Sequence, residues 1–273
     1  GEIDMKVDQE LNRKVQLKIL EIVLEIDRIC MKHDIKYYLA YGTTIGAIRH
    51  KGFIPWDDDA DIHMFKDDYD KFKKVCEVEL GEKYFFQDEY TDKGYKSYLP
   101  KIRMNNTAFV EGWTKDWDMH QGIYVDIFVL DECPQNKKIQ DLNYKIRQYT
   151  ECTRRGIYNK ENTKGLLKNM IRPIVKNNMV LNTWKTLVYN PCKKDKKLCI
   201  DRNSFGYVFP YDVFGEPRRV EFEGHMLNVP EKAEEYLTYY YGDFMTLPPV
   251  EKRVSHHGIV HIDLENEYKK DIR

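Results

Sequence analysis

Four carboxylates, Asp57, Asp58, Asp59 and Asp61, crowd the stretch Trp56-Asp57-Asp58-Asp59-Ala60-Asp61-Ile62. Like charges at such range raise one another's pKa values, so a cluster of this kind stays ionised inside a folded domain only when a cation neutralises it. If residues 60–65 are extended, Asp59 and Asp61 leave the same face, about 7 Å apart along the chain. Mg²⁺ suits that pair because it takes hard oxygen ligands, keeps several waters and shares its shell with substrate phosphates; Mn²⁺ accepts the same oxygens. The expected chemistry is phosphoryl-type transfer. A third acid fits the same chemistry: in the apolar run Gly122-Ile123-Tyr124-Val125-Asp126-Ile127-Phe128-Val129-Leu130, Asp126 is a lone carboxylate in a strand buried on both faces. Such a group is expensive unless paired or metal-bound.

The elements that must position these acids follow from hydrophobic spacing. Leu11, Val15, Ile19, Ile22, Ile26 and Ile29 step by three and four, predicting an amphipathic helix from Asp8 to about His33. Residues 36–41 then read as a strand running into a Gly42-Thr43 turn, followed by a short helix over 44–50. A strand, a glycine turn and a helix aim backbone N–H groups at one spot, a natural phosphate position, although the turn alone specifies little. Residues 67–80 have helical spacing closed by Gly81, and 97–104 and 122–130 read as strands. Residues 219–222 and 225–229 suggest a hairpin, followed by a helix over 231–241 capped by Gly242. Strand–helix alternation points to an α+β or α/β class. The expected organisation is a catalytic core over 1–134, a helical insertion or lobe over 135–200, and a C-terminal part over 201–273 that returns to the core. Within the insertion, 165–188 is a basic amphipathic segment broken by Pro173, with either lobe packing or a peripheral membrane contact as its role.

Composition narrows the class. The chain has 273 residues, 33% charged and 42% hydrophobic, with a formal net charge of -1, so no global field favours nucleic acid or an anionic membrane. Cys30, Cys76, Cys133, Cys152, Cys192 and Cys199 show neither C-x-x-C pairing nor zinc-type histidine spacing. Free thiols and a reduced, cytoplasmic setting are expected, although Cys192 and Cys199 could pair across a lysine-rich loop. No run approaches the ~20 apolar residues of a membrane span, and no basic-then-apolar leader opens the sequence. The expected location is the cytoplasm, with any membrane contact at its inner face.

The uninterrupted stretch Gly42-Thr43-Thr44-Ile45-Gly46-Ala47-Ile48-Arg49-His50-Lys51-Gly52-Phe53-Ile54-Pro55-Trp56-Asp57-Asp58-Asp59-Ala60-Asp61-Ile62 resembles the signature of the LicD family. The resemblance continues in Leu99-Pro100-Lys101-Ile102-Arg103, in Gly122 to Phe128, in Tyr240-Tyr241-Gly242-Asp243-Phe244, and at Lys252-Arg253 and His256. It spans roughly residues 10 to 258, while about 135–200 carries no recognised motif. It implies an α+β, nucleotidyltransferase-like fold: a mixed sheet bearing a metal-binding acidic triad, with flanking helices and a helical insertion. It also implies transfer of phosphocholine from CDP-choline to a cell-surface glycan such as teichoic acid or lipopolysaccharide, which are lipid-linked in some cases. Fukutin-type relatives transfer other phosphate-linked groups, including ribitol phosphate. The superfamily pattern of a Gly-Ser turn, an Asp-x-Asp pair and a third acid is matched by Gly42-Thr43, Asp59/Asp61 and Asp126, with Thr in place of Ser and a longer spacer.

By this resemblance Asp59, Asp61 and Asp126 are the catalytic acids and Mg²⁺ ligands, and Asp126 either completes the metal site or takes the proton of the incoming hydroxyl. Donor contacts are expected from Gly42, Thr43, Thr44, Arg49, His50, Lys51, Trp56, Asp58, Lys101, Arg103, Arg253 and His256. Several have a plainer reading: Arg49, Lys101 and Arg103 as ion-pair residues, Asp57 and Asp58 as turn caps, Trp56 as a core anchor, and His120 as a loop-packing residue. Two rival functions use the same scaffold, a nucleotidyltransferase that attaches a nucleotide from NTP to a small molecule or sugar, and a non-catalytic glycan- or nucleotide-binding module. Retention of all three acids argues for catalysis. Asp59→Asn is expected to abolish turnover while leaving ligand binding intact; ligand binding without turnover in the unsubstituted chain would favour the binding module.

Overall fold

The computed structural model describes residues 8–154, 196–201, 207–255 and 257–269, the side chains of Asn143 and 147–154 excepted. In chain order the first elements are α1 (Gln9–Lys32), β1 (Tyr38–Leu39), α2 (Tyr41–Ile45), β2 (Asp61–Phe65), α3 (Lys66–Glu79), β3 (Tyr84–Gln87), β4 (Lys101–Met104), β5 (Ala108–Glu111) and β6 (Tyr124–Glu132). They are followed by α4 (Lys137–Arg154), β7 (Leu198–Asp201), β8 (Val208–Pro210), β9 (Arg218–Phe222), β10 (His225–Val229), α5 (Ala233–Tyr241) and β11 (Ile259–Asp263). The class is mixed α+β. Two compact units emerge: residues 1–95, 99–129 and 213–273 form one, and 96–98 with 130–212 form the other.

In the first unit the strands lie in the order β1-β2-β6-β4-β3, with β1 antiparallel to β2 and β4 antiparallel to both β6 and β3. The periodic helix is α1. Asp8 caps it by accepting a hydrogen bond from the Leu11 N–H at 2.7 Å, and Val15, Ile22, Val23, Ile26 and Ile29 are fully buried against α3 and β4. The β9–β10 hairpin turns through Glu223 and Gly224, both at positive φ, and packs on β1 and on the turn that follows α2. A further antiparallel pair, β5 with β11, lay outside the sequence reading.

The second unit contains the end of β6, α4, and the antiparallel pairs β6–β7 and β7–β8, with Cys133 and Ile200 buried together. Cys199 is a free, buried thiol, as are Cys30, Cys76 and Cys133. The basic segment 165–188 and Cys192 lie outside the described residues. Among the described residues no helix is long and apolar enough to cross a membrane.

One expected element is built differently. The strand over 36–41 shortens to Tyr38–Leu39, and Gly42 and Thr43 lie inside α2 instead of forming a turn before it. The reversal is made by Tyr41 at φ +45, whose N–H donates to the Tyr236 hydroxyl at 3.0 Å and is therefore spent within the protein. After Ile45 the helix widens into a π turn over Gly46–His50. A Cβ on Gly46 would meet the Gly52 carbonyl oxygen at 2.4 Å, so the glycine lets the following loop fold back onto the helix.

His120 is a packing residue. Its ring stacks on Phe85 with centroids 5.2 Å apart, its Nδ1 accepts the Gly122 N–H at 3.1 Å, and its Nε2 lies 2.9 Å from Asn105 Oδ1. That arrangement is satisfied by the neutral ring, because a proton on Nδ1 would face another N–H. Burial, aided by the Arg103 charge, lowers the imidazole to about 4. The unfolded chain binds this proton near the ordinary histidine value of about 6.5, the folded chain only near pH 4. Stability from this group is therefore complete above the unfolded value and is lost as pH falls, by up to about 1.4 kcal/mol per pH unit. His120→Asn should flatten this slope, read as the difference between urea unfolding midpoints at pH 7 and pH 5.

Candidate active site

The acidic loop is held from α1. Asn12 and Gln16 are almost fully buried, and their side-chain amides donate to loop carbonyls: Asn12 Nδ2 to Asp57 O at 3.0 Å, and Gln16 Nε2 to Ile54 O at 3.1 Å and Asp57 O at 2.8 Å. Glu223 clips the start of the loop. Its carboxylate accepts the Phe53 N–H at 3.1 Å and a two-toothed pair from Arg13, and its N–H donates to Lys51 O at 2.8 Å.

Asp57, Asp58 and Asp59 precede β2, and Asp61 is its first residue. Thr43 Oγ1 accepts the Asp61 N–H at 2.9 Å, tying α2 to the strand. A Cβ on Gly42 would lie 3.0 Å from Asp57 Oδ2, so the glycine makes room for that carboxylate. Asp126 enters from the neighbouring strand, its N–H donating to Ala60 O at 3.1 Å. The β4–β6 register sets Lys101 opposite Asp126, where the buried ammonium pairs with the carboxylate and lies 3.6 Å from the Tyr124 ring centroid.

His257, which the sequence reading passed over, closes the cluster. Its Nδ1 is 2.9 Å from Asp58 Oδ1 and its Nε2 is 3.6 Å from Asp59 Oδ2, while the other Asp58 oxygen accepts the Ser255 hydroxyl. Burial opposes charging this imidazole, but the bond to Asp58 and the charges of Asp59 and Asp58 outweigh burial and push it up to about 10. The acids rise too, toward their neutral form. Burial raises Asp57 and Asp61 well above the carboxylate range, reinforced by Asp59, with Asp58 adding to it at Asp57 and Asp126 at Asp61, and Asp59 and Asp126 rise less because His257 and Lys101 respectively pull them back.

This arrangement fits a divalent cation. Five crowded carboxylates face one lysine and one histidine, and the oxygens are the hard donors that Mg²⁺ or Mn²⁺ takes. Among the described residues, the three-member group whose donor atoms all lie within 4.8 Å of one another is Asp58, Asp59 and His257. Asp61 and Asp126 share the electrostatic cluster but stand outside that tighter group. The Asp59 side chain keeps 18% of its surface open, so a ligand can reach it.

A basic patch accompanies the acids. Arg253 lies over Trp56, 5.4 Å from the ring centroid, and His50 meets the same indole edge-on at 6.5 Å. Arg49 is anchored to the Phe244 carbonyl and donates through Nε to His50 Nε2 at 3.0 Å. Burial, together with the repulsion of Arg253, lowers the Arg49 pKa. Other expected donor contacts are placed elsewhere. Thr44 is buried and donates to Leu39 O at 2.6 Å, and Lys51 is exposed and pairs with Glu221 at 3.3 Å. Arg103 is 1% exposed, with Nε on Gln87 Oε1 and Nη1 on Gly122 O, both at 2.6 Å, so its charge organises the protein rather than a ligand. His256 lies outside the described residues. The signal for His257 was the His256-His257 tandem, in which spacing alone does not choose the ring that turns inward.

Comparison with known proteins agrees with this architecture. The family model described as "LicD/FKTN/FKRP, nucleotidyltransferase domain" matches residues 34–128, which carry β1 through most of β6 and all five acids. The chain is 33% identical over 258 residues to the lipopolysaccharide cholinephosphotransferase LicD of Haemophilus influenzae, covering 90% of this chain and 95% of that protein. An uncharacterized protein of Rickettsia prowazekii is 24% identical over 140 residues, 51% of this chain and 48% of that one. One from Rickettsia typhi is 34% identical over 65 residues, 24% of this chain and 21% of that one. The chain belongs to the LicD family.

Loss of the α1 amides should loosen the acidic loop without touching an acid. Gln16→Met keeps the side-chain shape but removes one of two donors from each of two carbonyls, Ile54 O keeping the Asp57 N–H and Asp57 O keeping the Asn12 amide, with an expected cost of about 1 kcal/mol in urea unfolding. Turnover should fall about tenfold, because the carboxylates lose their fixed separation. Unchanged stability and rate would show that the loop holds itself.

Proposed function

We propose that the chain is a metal-dependent phosphotransferase on a nucleotidyltransferase-like scaffold. It moves phosphocholine or a similar phospho-alcohol from a CDP-linked donor to a hydroxyl of a cell-surface glycan such as lipopolysaccharide or teichoic acid, releasing CMP. The observation that carries this reading is the gathering of five carboxylates from β2, its preceding loop and β6, preceded in that loop by Trp56, over which Arg253 lies and against which His50, the partner of Arg49, packs. Acids of that density suit a divalent ion, and guanidiniums suit phosphate. Kinship along nearly the whole chain with a protein named lipopolysaccharide cholinephosphotransferase supports the choice of group and acceptor.

In this reading Asp58, Asp59 and Asp61 hold Mg²⁺ or Mn²⁺, with Asp126 and His257 alongside. The ion, when bound, neutralises charge on the diphosphate oxygens. Arg49 and Arg253 orient the donor phosphates. Lys101 holds the Asp126 carboxylate in one orientation, where it completes the metal site or takes the proton of the incoming hydroxyl. The acceptor oxygen forms a bond to the phosphorus that carries the alcohol, the bond from that phosphorus to CMP breaks, and a phosphodiester remains. The products also separate this reading from a nucleotidyltransferase, which would release pyrophosphate from NTP.

The test is a donor screen with CDP-choline, CDP-ethanolamine, CDP-ribitol and CDP-glycerol, run with Mg²⁺ or Mn²⁺ and with lipopolysaccharide or teichoic acid as acceptor. CMP release without pyrophosphate, abolished by EDTA, is the expected result. Silence with all four donors, or pyrophosphate release from an NTP, would overturn it.

A further inference from the structure

Two tryptophans outside the machinery described so far lie beside it. Trp113 and Trp117 sit in the loop after β5, with indole centroids 5.0 Å apart and planes at 87°, and Trp113 is 48% exposed. The Trp113 indole N–H donates to Glu111 Oε1 at 3.1 Å, and Glu111 itself is 7% exposed. The loop is fixed to the segment that carries His257: the Gly112 N–H donates to Gly258 O at 2.9 Å, and Glu111 is paired with Ile259 across the β5–β11 ladder. The Glu111 charge is felt by both Asp126 and His257.

An exposed indole pair backed by a buried carboxylate has the chemistry that recognises a quaternary ammonium. Such a cation has no N–H to donate, so it is held by the negative faces of aromatic rings and by nearby anionic charge, rather than by hydrogen bonds. A primary ammonium or a neutral polyol gains less from that surface. Trp56 is poorly suited to the same task, because Arg253 already lies over its ring and Arg49 stands nearby, and a second cation there would be repelled. The two tryptophan environments thus carry opposite preferences, with a guanidinium suited to phosphate at Trp56 and aromatic faces with Glu111 suited to a cation at Trp113.

We propose that Trp113 and Trp117, with Glu111 behind them, form the subsite that holds the quaternary ammonium of the transferred group and so select choline over ethanolamine, ribitol or glycerol. This rests on the phosphotransferase reading and extends it to substrate choice. It is tested first by binding, which needs no turnover: choline and its neutral carbon isostere 3,3-dimethylbutan-1-ol are titrated against the whole chain with tryptophan fluorescence and calorimetry. The wild type should prefer choline by about tenfold. Trp113→Ala and Glu111→Gln should each bring that preference close to unity, and Trp113→Phe should restore part of it. Circular dichroism confirms that each variant is folded. In the donor assay, Trp113→Ala should raise KM for CDP-choline about tenfold relative to KM for CDP-glycerol.

Equal binding of choline and its isostere by the wild type overturns the subsite whatever the donor screen shows. So does a choline preference that survives Trp113→Ala, or a Trp113→Ala effect confined to KM for the glycan acceptor. Failure of the donor screen with choline preference intact would instead remove the phosphotransferase reading and leave a cation-binding site.

Discussion

Mutual repulsion among Asp57, Asp58, Asp59, Asp61 and Asp126 is the constraint on which this structure turns. Left to themselves, five carboxylates in a poorly solvated cluster would take up protons or push the loop outward. The fold opposes this by two means. Lys101 and His257 are set against Asp126 and against Asp58 with Asp59, supplying positive charge at short range. The backbone that carries the acids is tied down from outside the cluster, by the Asn12 and Gln16 amides, the Glu223 carboxylate and the Thr43 hydroxyl. The repulsion that remains shows in Asp57 and Asp61, whose carboxyls stay well above the usual carboxylate range.

Charge of opposite sign accompanies the two tryptophans near the acids. Arg253 lies over Trp56 with Arg49 nearby, whereas Glu111 accepts from Trp113 on the β5 side. Buried Arg103 contributes differently. Its hydrogen bonds to Gln87 and to the Gly122 carbonyl, and its stacking 4.8 Å over Tyr124, brace the entry to β6 and so the position of Asp126.

Several elements were legible because their cause is local. The three-and-four spacing of α1 and its Asp8 cap, the hairpin at Glu223-Gly224 and the α5 helix closed by Gly242 each follow from residues adjacent in the chain. The pairing of β5 with β11 was not legible, because its two strands are separated by most of the second half of the chain and neither is long enough to show alternation. The Gly42-Thr43 turn failed for a related reason. The reversal there falls on Tyr41, whose N–H is bonded to the distant Tyr236 hydroxyl, and the glycine serves to clear space for Asp57 instead.

The sequence by itself determined which acids exist, that they are too crowded to stand without a cation, and that Asp126 lies in a buried strand; composition and spacing suffice, since charge and hydrophobic period are properties of the chain. Tertiary structure alone decided which cations answer them. Lys101 meets Asp126 through strand register, His257 reaches Asp58 and Asp59 from nearly 200 residues away in the chain, and Arg103 is turned into the protein while Arg253 lies over Trp56. Those pairings depend on where distant segments pack, and electrostatic energy is set by separation in space rather than along the chain.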